Sequence, residues 1–454
     1  MAAAAQPDLH VDLMEEILLR VDDVADLIRA SAACTSFHRI ISNGRFLRRF
    51  RSFHRPPILG ILAGFYGRDG EISFYPARPP HSSAPAARAL TRAADFSVNS
   101  LSDPTPYWCI RDVRDGRVLL SRRDARAIKS LFDLEYLMLM VYDPLHRRQV
   151  QIPPIPHDLL AAVGHDDNWW RWQEFDPFLV PVAPSGTDDL SFQVMCNVLS
   201  EHKVETFIYS SVTEEWRGMA SSSITSCKFM KFPCLVDRSY ARGCFYWVDY
   251  IASVMLMLDM CEMKFSIIDL PAGSKLRNKT IVEVKEDRIG LLIIVGENTL
   301  HLYSKTLSDI GIGAKDWRHD HTIRLSNDYK WSLTGGAVEG YALLNGISRY
   351  EYEMWESCEH KEPTSEHCFT LELETLQVTY TTKLNRDGLG GGTDLPVDLL
   401  EEILLRLDRD DVADLARCSA ACSSFRRIIA EGCFLRRFRS LHRPPILGFL
   451  VLNH

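Results

Sequence analysis

The longest apolar runs of the sequence, Val254–Leu258 and Ile289–Val295, fall far short of the roughly 20 residues that a membrane-spanning helix needs. Basic charge is not in excess either. Lys and Arg number 52 against 60 Asp and Glu, a net charge of −8, and a nucleic-acid binder needs a basic face to neutralise phosphates. The 12 cysteines include no C-x-x-C pair. Met1–His10 has no basic flank and too short an apolar run for an export signal. The expectation is therefore reduced thiols, mostly core fillers, and a place in the cytoplasm or nucleus. No G-x-S-x-G, H-E-x-x-H or G-x-x-x-x-G-K-[ST] occurs, so no catalytic residue and no cofactor is assigned.

What is present is a repeat. Asp8–Leu62 returns as Asp394–Leu450 with one two-residue insertion that includes Arg409, and 43 of 55 aligned positions are identical. At 454 residues the chain has room for two to four domains, and the repeat divides it. The boundaries read 8–55 for a helical module and 56–385 for a different domain. A Gly-rich linker follows at 386–393, then the second helical module at 394–443 and a short remainder at 444–454.

The module reads as three helices. In VDLMEEILLRV, Leu13, Ile17 and Leu18 share a stripe at helical spacing, with Asp12 a plausible N-cap. Asp22 and Asp23 open a second run over 24–41, with Val24, Leu27, Ile28, Cys34 and Phe37 on its apolar face and Gly44 as its end. RFLRRFRSFH makes a third helix before Pro56 and Pro57. Arg48, Arg49, Arg51 and Arg55 interleave with Leu47, Phe50 and Phe53, the pattern of a solvated helix face rather than of a nucleic-acid patch. So small a module buries little by itself, and its leftover apolar residues should seek a partner.

LPVDLLEEILLRL, then DVADL, then C-x-x-F, resembles an F-box: Leu-Pro, an E-I-L-x-R-L helix, a second leucine helix and Cys-x-x-Trp/Phe. The resemblance implies docking on the Skp-type adaptor of SCF ubiquitin ligases and, through it, on a cullin. The adaptor contacts it implies are Leu9, Ile17, Leu18, Leu27, Cys34 and Phe37 in the first copy. In the second they are Leu395, Pro396, Ile403, Leu404, Leu415, Cys422 and Phe425. The first copy departs at His10, where the family has proline, so the second should bind at least as well.

From 56 to 385 the pattern turns to short apolar strands joined by tight polar turns. Six such units are marked by Tyr75, Tyr142, Tyr209, Leu258, Tyr303 and Leu373, at spacings of 67, 67, 49, 45 and 70. Strands rich in Val, Ile, Leu, Phe and Tyr with polar turns predict antiparallel sheets. A period near 45–50 with insertions is the size of a propeller blade. Six blades are favoured and seven are the runner-up; a pair of β-sandwiches is the alternative fold. VYDPLHRRQVQIPPIP, SSVTEEW, CFYWV and FSIIDLP resemble the propeller-like associated domain of plant, grass-type F-box proteins.

Two insertions interrupt this pattern. His81–Arg92, rich in Ala, Pro and Ser, reads as a flexible loop. His157–Asp189 contains Trp169, Trp170, Arg171 and Trp172, the composition of a target-binding hot spot or of a covered blade edge. Cys358, His360, His367 and Cys368 are of zinc-ligand type, but C-x-H-x6-H-C matches no common site, so no metal is assigned. His319 and His321 alternate on a strand and should share one face. The combined expectation is a non-catalytic substrate-recognition subunit of an SCF-type ubiquitin ligase that binds adaptor and target protein, not nucleic acid or membrane. A sequestering protein and a propeller enzyme are the rivals. The second copy ends in RPPILGFLVLNH, which reads as the start of a second propeller cut short by duplication or gene fusion. Its strand ILGFLV should be poorly packed or borrow an edge.

Overall fold

A computed structural model describes residues 11–21, 24–54, 57–64, 72–96, 108–123, 137–161, 174–181, 191–199, 203–223, 236–248, 253–274, 278–285, 288–306, 317–334, 340–357, 363, 365–385 and 448–453. The chain divides into two compact units, residues 1–55 with 389–446 and residues 56–388 with 447–454.

In the first unit the described residues form Val11–Leu18 (α1), Val24–Ala33 (α2), Thr35–Ile41 (α3) and Gly44–Phe53 (α4). The single helix expected over 24–41 is two. Cys34 is extended at φ −148°, ψ 131°, and breaks the run inside the small-residue stretch SAACTS. Gly44, expected to end that run, instead opens α4. Asn43 caps it by accepting a 2.8 Å bond from the Arg45 N–H.

The second unit opens with Ile58–Gly64 (β1), Ile72–Pro76 (β2) and the helix Ala84–Ala93 (α5). Five four-stranded antiparallel meanders follow. The first holds Trp108–Arg114 (β3), Arg117–Arg123 (β4), Leu137–Asp143 (β5) and Arg148–Ile152 (β6). After the short helix His157–Ala161 (α6), the next holds Glu174–Leu179 (β7), Gln193–Leu199 (β8), Lys203–Ser210 (β9) and Glu215–Ser223 (β10). The third holds Val236–Ala241 (β11), Cys244–Val248 (β12), Val254–Asp259 (β13) and Lys264–Asp269 (β14). The fourth holds Lys279–Val284 (β15), Arg288–Val295 (β16), Thr299–Thr306 (β17) and Arg318–Arg324 (β18). The fifth holds Tyr329–Leu333 (β19), Tyr341–Ser348 (β20), Ser365–Glu372 (β21) and Val378–Asn385 (β22), with the helix Arg349–Ser357 (α7) between its second and third strands. A sixth sheet has three strands, because Gly448–Asn453 (β23) pairs in parallel with the free side of β1.

Six apolar clusters join these sheets into a ring. Leu62 and Ile72 meet Leu120 and Met140 of the first meander, while Leu119 and Leu139 meet Val194 and Phe207 of the second. Phe178 and Met195 pack on Phe245 and Trp247 of the third, and Tyr246 and Met255 pack on Ile281 and Leu291 of the fourth. Leu292 and Leu300 reach Trp331 and Leu344 of the fifth, and Leu343 and Leu384 return to Ile58 and Ile61. Neighbouring residues such as Leu119 and Leu120, or Leu291 and Leu292, serve opposite interfaces. That is the period-2 consequence of a strand buried on both faces. A pair of sandwiches has no such cyclic series of interfaces; the architecture is a β-propeller of five four-stranded blades and one three-stranded sheet.

The turns follow from sequence. Asp115–Gly116 and Arg242–Gly243 have φ of 51° and 75°, and 52° and 75°, the two-residue loop whose twist suits a hairpin. Between the third and fourth strands of two blades, Asp143 and Asp259 each accept backbone N–H bonds from the residues two and three positions on, and Arg147 and Met263 take positive φ. The marker residues Tyr142, Tyr209, Leu258 and Tyr303 sit on third strands, and Leu373 directly follows one.

Two insertions differ from expectation. Residues 84–93 are helical, not a loop: alanine is the best helix former, Pro85 suits the first helical turn, and Ala87 and Leu90 are buried against Leu59 and Leu145. Within the tryptophan-rich insertion, Glu174–Leu179 is the first strand of a blade. Its Pro177 is tolerated because β7 is an edge strand.

Gly60 has no room for a side chain, since a Cβ would lie 2.5 Å from the Tyr75 carbonyl oxygen and 2.6 Å from the Phe74 ring. Gly60→Ala is expected to cost about 1–3 kcal/mol, read as a lower urea midpoint of the propeller transition. His81 is buried and accepts the Ser83 N–H at Nδ1, which leaves the proton on Nε2 facing Thr370 Oγ1. Burial holds its pKa below the ordinary 6.5. The unfolded chain therefore takes up that proton more readily, and the stability tied to neutral His81 is full above the ordinary value and falls as pH drops below it. Melting temperature should fall less between pH 7.5 and 5.5 in His81→Gln than in the wild type.

Candidate functional site

The helical module is held by one small core. Leu18, Leu19, Leu27, Ile40, Ile41, Phe46 and Phe50 are buried together, with Met14, Val21, Ala30 and Phe37 packed against them. Phe50 stacks on His54 at 4.0 Å between ring centroids, and the His54 ring bonds the Leu19 carbonyl at 2.7 Å. Arg49 reaches from α4 to Glu15 at 2.5 Å and Glu16 at 2.6 Å on α1, which ties the two ends of the module together. The carboxylates raise the Arg49 pKa, Glu16 most. Both ion pairs are open to solvent in part, so their role is alignment of α1 rather than a large share of the stability.

These contacts leave one face of α1 outside. Ile17 is 53% exposed and Leu13, one turn before it, is similarly exposed, as is Val11 at the first residue of the helix. The neighbour of Ile17, Leu18, is 3% exposed. The helical turn separates the two: one side chain faces solvent and the next is committed to Phe46 and Leu27. Of the first-copy residues singled out in the sequence, Ile17 is therefore open to a partner. Leu18 and Leu27 are core residues that act on a partner by holding α1 and α2 in place. Cys34 and Phe37 are half-buried at the start of α3. The Cys34 thiol pKa is lowered by the backbone N–H groups of Phe37 and Ser36. Leu13, absent from that set, lies one turn before Ile17 and belongs with it on the open face; the signal was its i, i+4 spacing in the amphipathic run. Leu9 and all seven second-copy positions lie outside the described residues, as do Trp169, Trp170, Arg171 and Trp172.

The charged groups of the propeller that resemble chemistry are committed to structure. Asp112 on β3, Asp176 on β7 and Arg238 on β11 come from the first strands of three successive blades. Arg238 bonds Asp176 at 2.5 Å and the Arg111 carbonyl at 3.1 Å, and lies 3.4 Å from Asp112. That carbonyl is released from the ladder by a bulge at Arg111. Trp247 Nε1–H donates to the other Asp176 oxygen at 2.6 Å, and the Leu179 N–H donates to Asp112 at 2.9 Å. Burial works to lower the Arg238 pKa, but Asp176 and Asp112 outweigh it and raise the value. Both carboxylates thus bind blades together and are spoken for as acids or bases.

The histidines divide in the same way. Cys368 is buried in the cluster with Ile58 and Leu343, whereas His367, next in the strand, lies against Tyr329 and Tyr380 on the opposite face. Burial, then Lys383, lowers the His367 pKa. The two cannot bind one ion, and Cys358 and His360 lie outside the described residues. His319 and His321 do not share a face. β18 pairs Tyr303 with His319 but Leu302 with His321, so the bulge at Asp320 puts them on opposite sides. No group of three or more metal-ligating side chains forms among the described residues.

Residues 109–331 match the family model described as "F-box protein AT5G49610-like, beta-propeller", and residues 393–441 match that described as "F-box-like". No curated protein sequence matches at a significant level. Among solved structures, a fucoside-bound Aleuria aurantia lectin mutant has 7% identity, covering 74% of this chain and 99% of its own, with a TM-score of 0.34. A prolyl endopeptidase has 9% identity and a TM-score of 0.29 over 59% of this chain. This chain spans only 35% of that enzyme's length. The β-propeller domain of the Pyrococcus furiosus Trilobed protease has 7% identity and a TM-score of 0.29, covering 60% of this chain and 70% of that one. Likenesses so distant carry no functional argument. The chain thus joins a β-propeller that matches the F-box protein AT5G49610-like family over residues 109–331 to an F-box-like domain at residues 393–441.

Proposed function

We propose that this chain is the substrate-recognition subunit of an SCF-type ubiquitin ligase. Its F-box-like helices hold a Skp-type adaptor, and through it a cullin, while the propeller holds a target protein. The observation that carries this reading is the pairing of an F-box-like domain with a propeller of an F-box protein family in one chain. The exposed Val11, Leu13 and Ile17 support it, because a small module that leaves branched aliphatic residues in water gains by covering them. The ligase chemistry needs no acid, base or nucleophile from this chain. Holding a target lysine near a separate ubiquitin-carrying enzyme raises the effective concentration of the reacting groups.

The two copies are not equivalent. The second copy has Pro396 where the first has His10, and a proline, whose φ is restricted in any state of the chain, lessens the entropy lost on docking. On this reading the second copy binds adaptor at least as well as the first.

Capture of the full chain by purified Skp-type adaptor tests this. Ile403→Asp should reduce capture at least as much as Ile17→Asp, and the double variant should reduce it at least about tenfold, since each change buries a carboxylate in an apolar contact. The melting curve should stay unchanged for Ile17→Asp, whose side chain is exposed. Leu18→Asp should instead unfold the module, seen as lost helical circular dichroism. Undiminished capture by the double variant would overturn the assignment.

A further inference from the structure

The sixth sheet is built differently from the five meanders. In the meanders, first strands lie side by side around the ring, as β3 does with β7 and β11 with β15, and each runs antiparallel to its own second strand. β1 and β2 have no such strand before them. The chain reaches β1 from the helix α4, through Pro56 and Pro57. The first-strand place beside β1 is taken instead by β23, which lies beside β3 and pairs with β1 in parallel.

β1 needs a neighbour on this side. Its residues from Ile58 to Ala63 are all buried, so backbone N–H and C=O groups turned away from β2 would lack both water and a ladder. What meets that need is the repeat itself. Gly448–Asn453 corresponds to residues 60–65 of the first copy and lies beside that copy one residue out of step: Leu62, whose counterpart is Leu450, pairs with Val451. GFLVLN is uncharged and free of proline, the character of a segment that adds to a sheet edge.

No turn dictates which chain supplies this strand. Parallel neighbours are joined by a crossover and never by a hairpin, and here the connection from β22 is the whole of residues 386–447. Every copy of the chain therefore carries one acceptor edge, on β1, and one donor strand, β23. Two copies that trade donors keep every ladder bond that each makes alone, and exchange of an identical element is a low-cost route to a dimer. We propose that the β1 edge is a strand-acceptor site through which two copies of this chain associate, each seating the β23 of the other in parallel on its own β1. The exchange does not rest on the receptor reading, and it joins two propellers in one assembly.

Crosslinking of co-expressed full-length chains tests this. Gly64 pairs with Asn453, and a Cβ at Gly64 would meet nothing nearer than Ile72 Cγ1 at 3.4 Å, so a side chain fits there. One chain carries Gly64→Cys and the other Asn453→Cys, so any link between positions 64 and 453 joins two chains. A double variant with both changes reports whether the strand register itself is right. A short thiol-to-thiol crosslinker is applied, and the linked peptides are read by mass spectrometry. The expected result is the 64–453 link in the double variant and in the mixed pair, with a dimer in sedimentation of the wild type. Leu450→Pro with Val451→Pro, which removes ladder N–H groups, should lower both the mixed link and the dimer at least about tenfold. A link in the double variant but none in the mixed pair, or a wild type that sediments as monomer alone, would confine the strand to its own chain and overturn the exchange. A link that survives the two prolines, or none in either sample, would overturn the acceptor site itself.

Discussion

The propeller rests on one constraint: every sheet buries both faces, because each blade stands between two others. This sets the composition of its strands. Central strands such as RIGLLIIV and VMLMLD are apolar along nearly their whole length, and where others bury polar residues these bond one another, as Thr206 does with Asn197. The constraint also requires closure, since an open ring would leave two sheet faces in water. Leu343 and Leu384 against Ile58 and Ile61 supply that closure. The sixth sheet alone draws its strands from distant parts of the sequence: β1 and β2 lie before all five meanders, and β23 belongs to the second copy. Polar groups join blades as well, most clearly where Arg238 gathers Asp112 and Asp176.

The helical module works under the opposite constraint. It is too small to cover its own apolar residues. Phe46, Phe50 and Leu18 fill the little core there is, and Ile17, Val11 and Leu13 remain outside. The propeller has exhausted most of its apolar surface internally, whereas the module keeps a face in reserve. On the proposed function, that difference in size separates the part that docks on a common adaptor from the part that selects a target.

The repeated hairpin was legible because its turn chemistry is local. Tyr142, Tyr209, Leu258 and Tyr303 mark third strands, and aspartates at strand ends make the turns that follow. The ring was less so, since which sheet face meets which neighbour depends on contacts far apart in sequence. Composition misled at residues 84–93, where Ala, Pro and Ser suggest a loop but an alanine-rich helix forms on a buried surface. Periodicity misled at Cys34, where one extended residue splits a continuous apolar stripe, and at His319 and His321, where a bulge defeats simple alternation. In the module, the motif picked out the right helix but not the direction of each side chain: adjacent Ile17 and Leu18 look alike in sequence and have opposite fates.

On the proposed function, the adaptor docks on the two copies of the repeat and leaves the propeller to its target. Hydrogen exchange of the full chain, alone and saturated with a Skp-type adaptor, decides this. Slowed exchange is expected in residues 11–18 and 394–425 alone, at least as strong in the latter, with β3 to β22 unchanged. Slowing within those strands, or none in either copy, would contradict it.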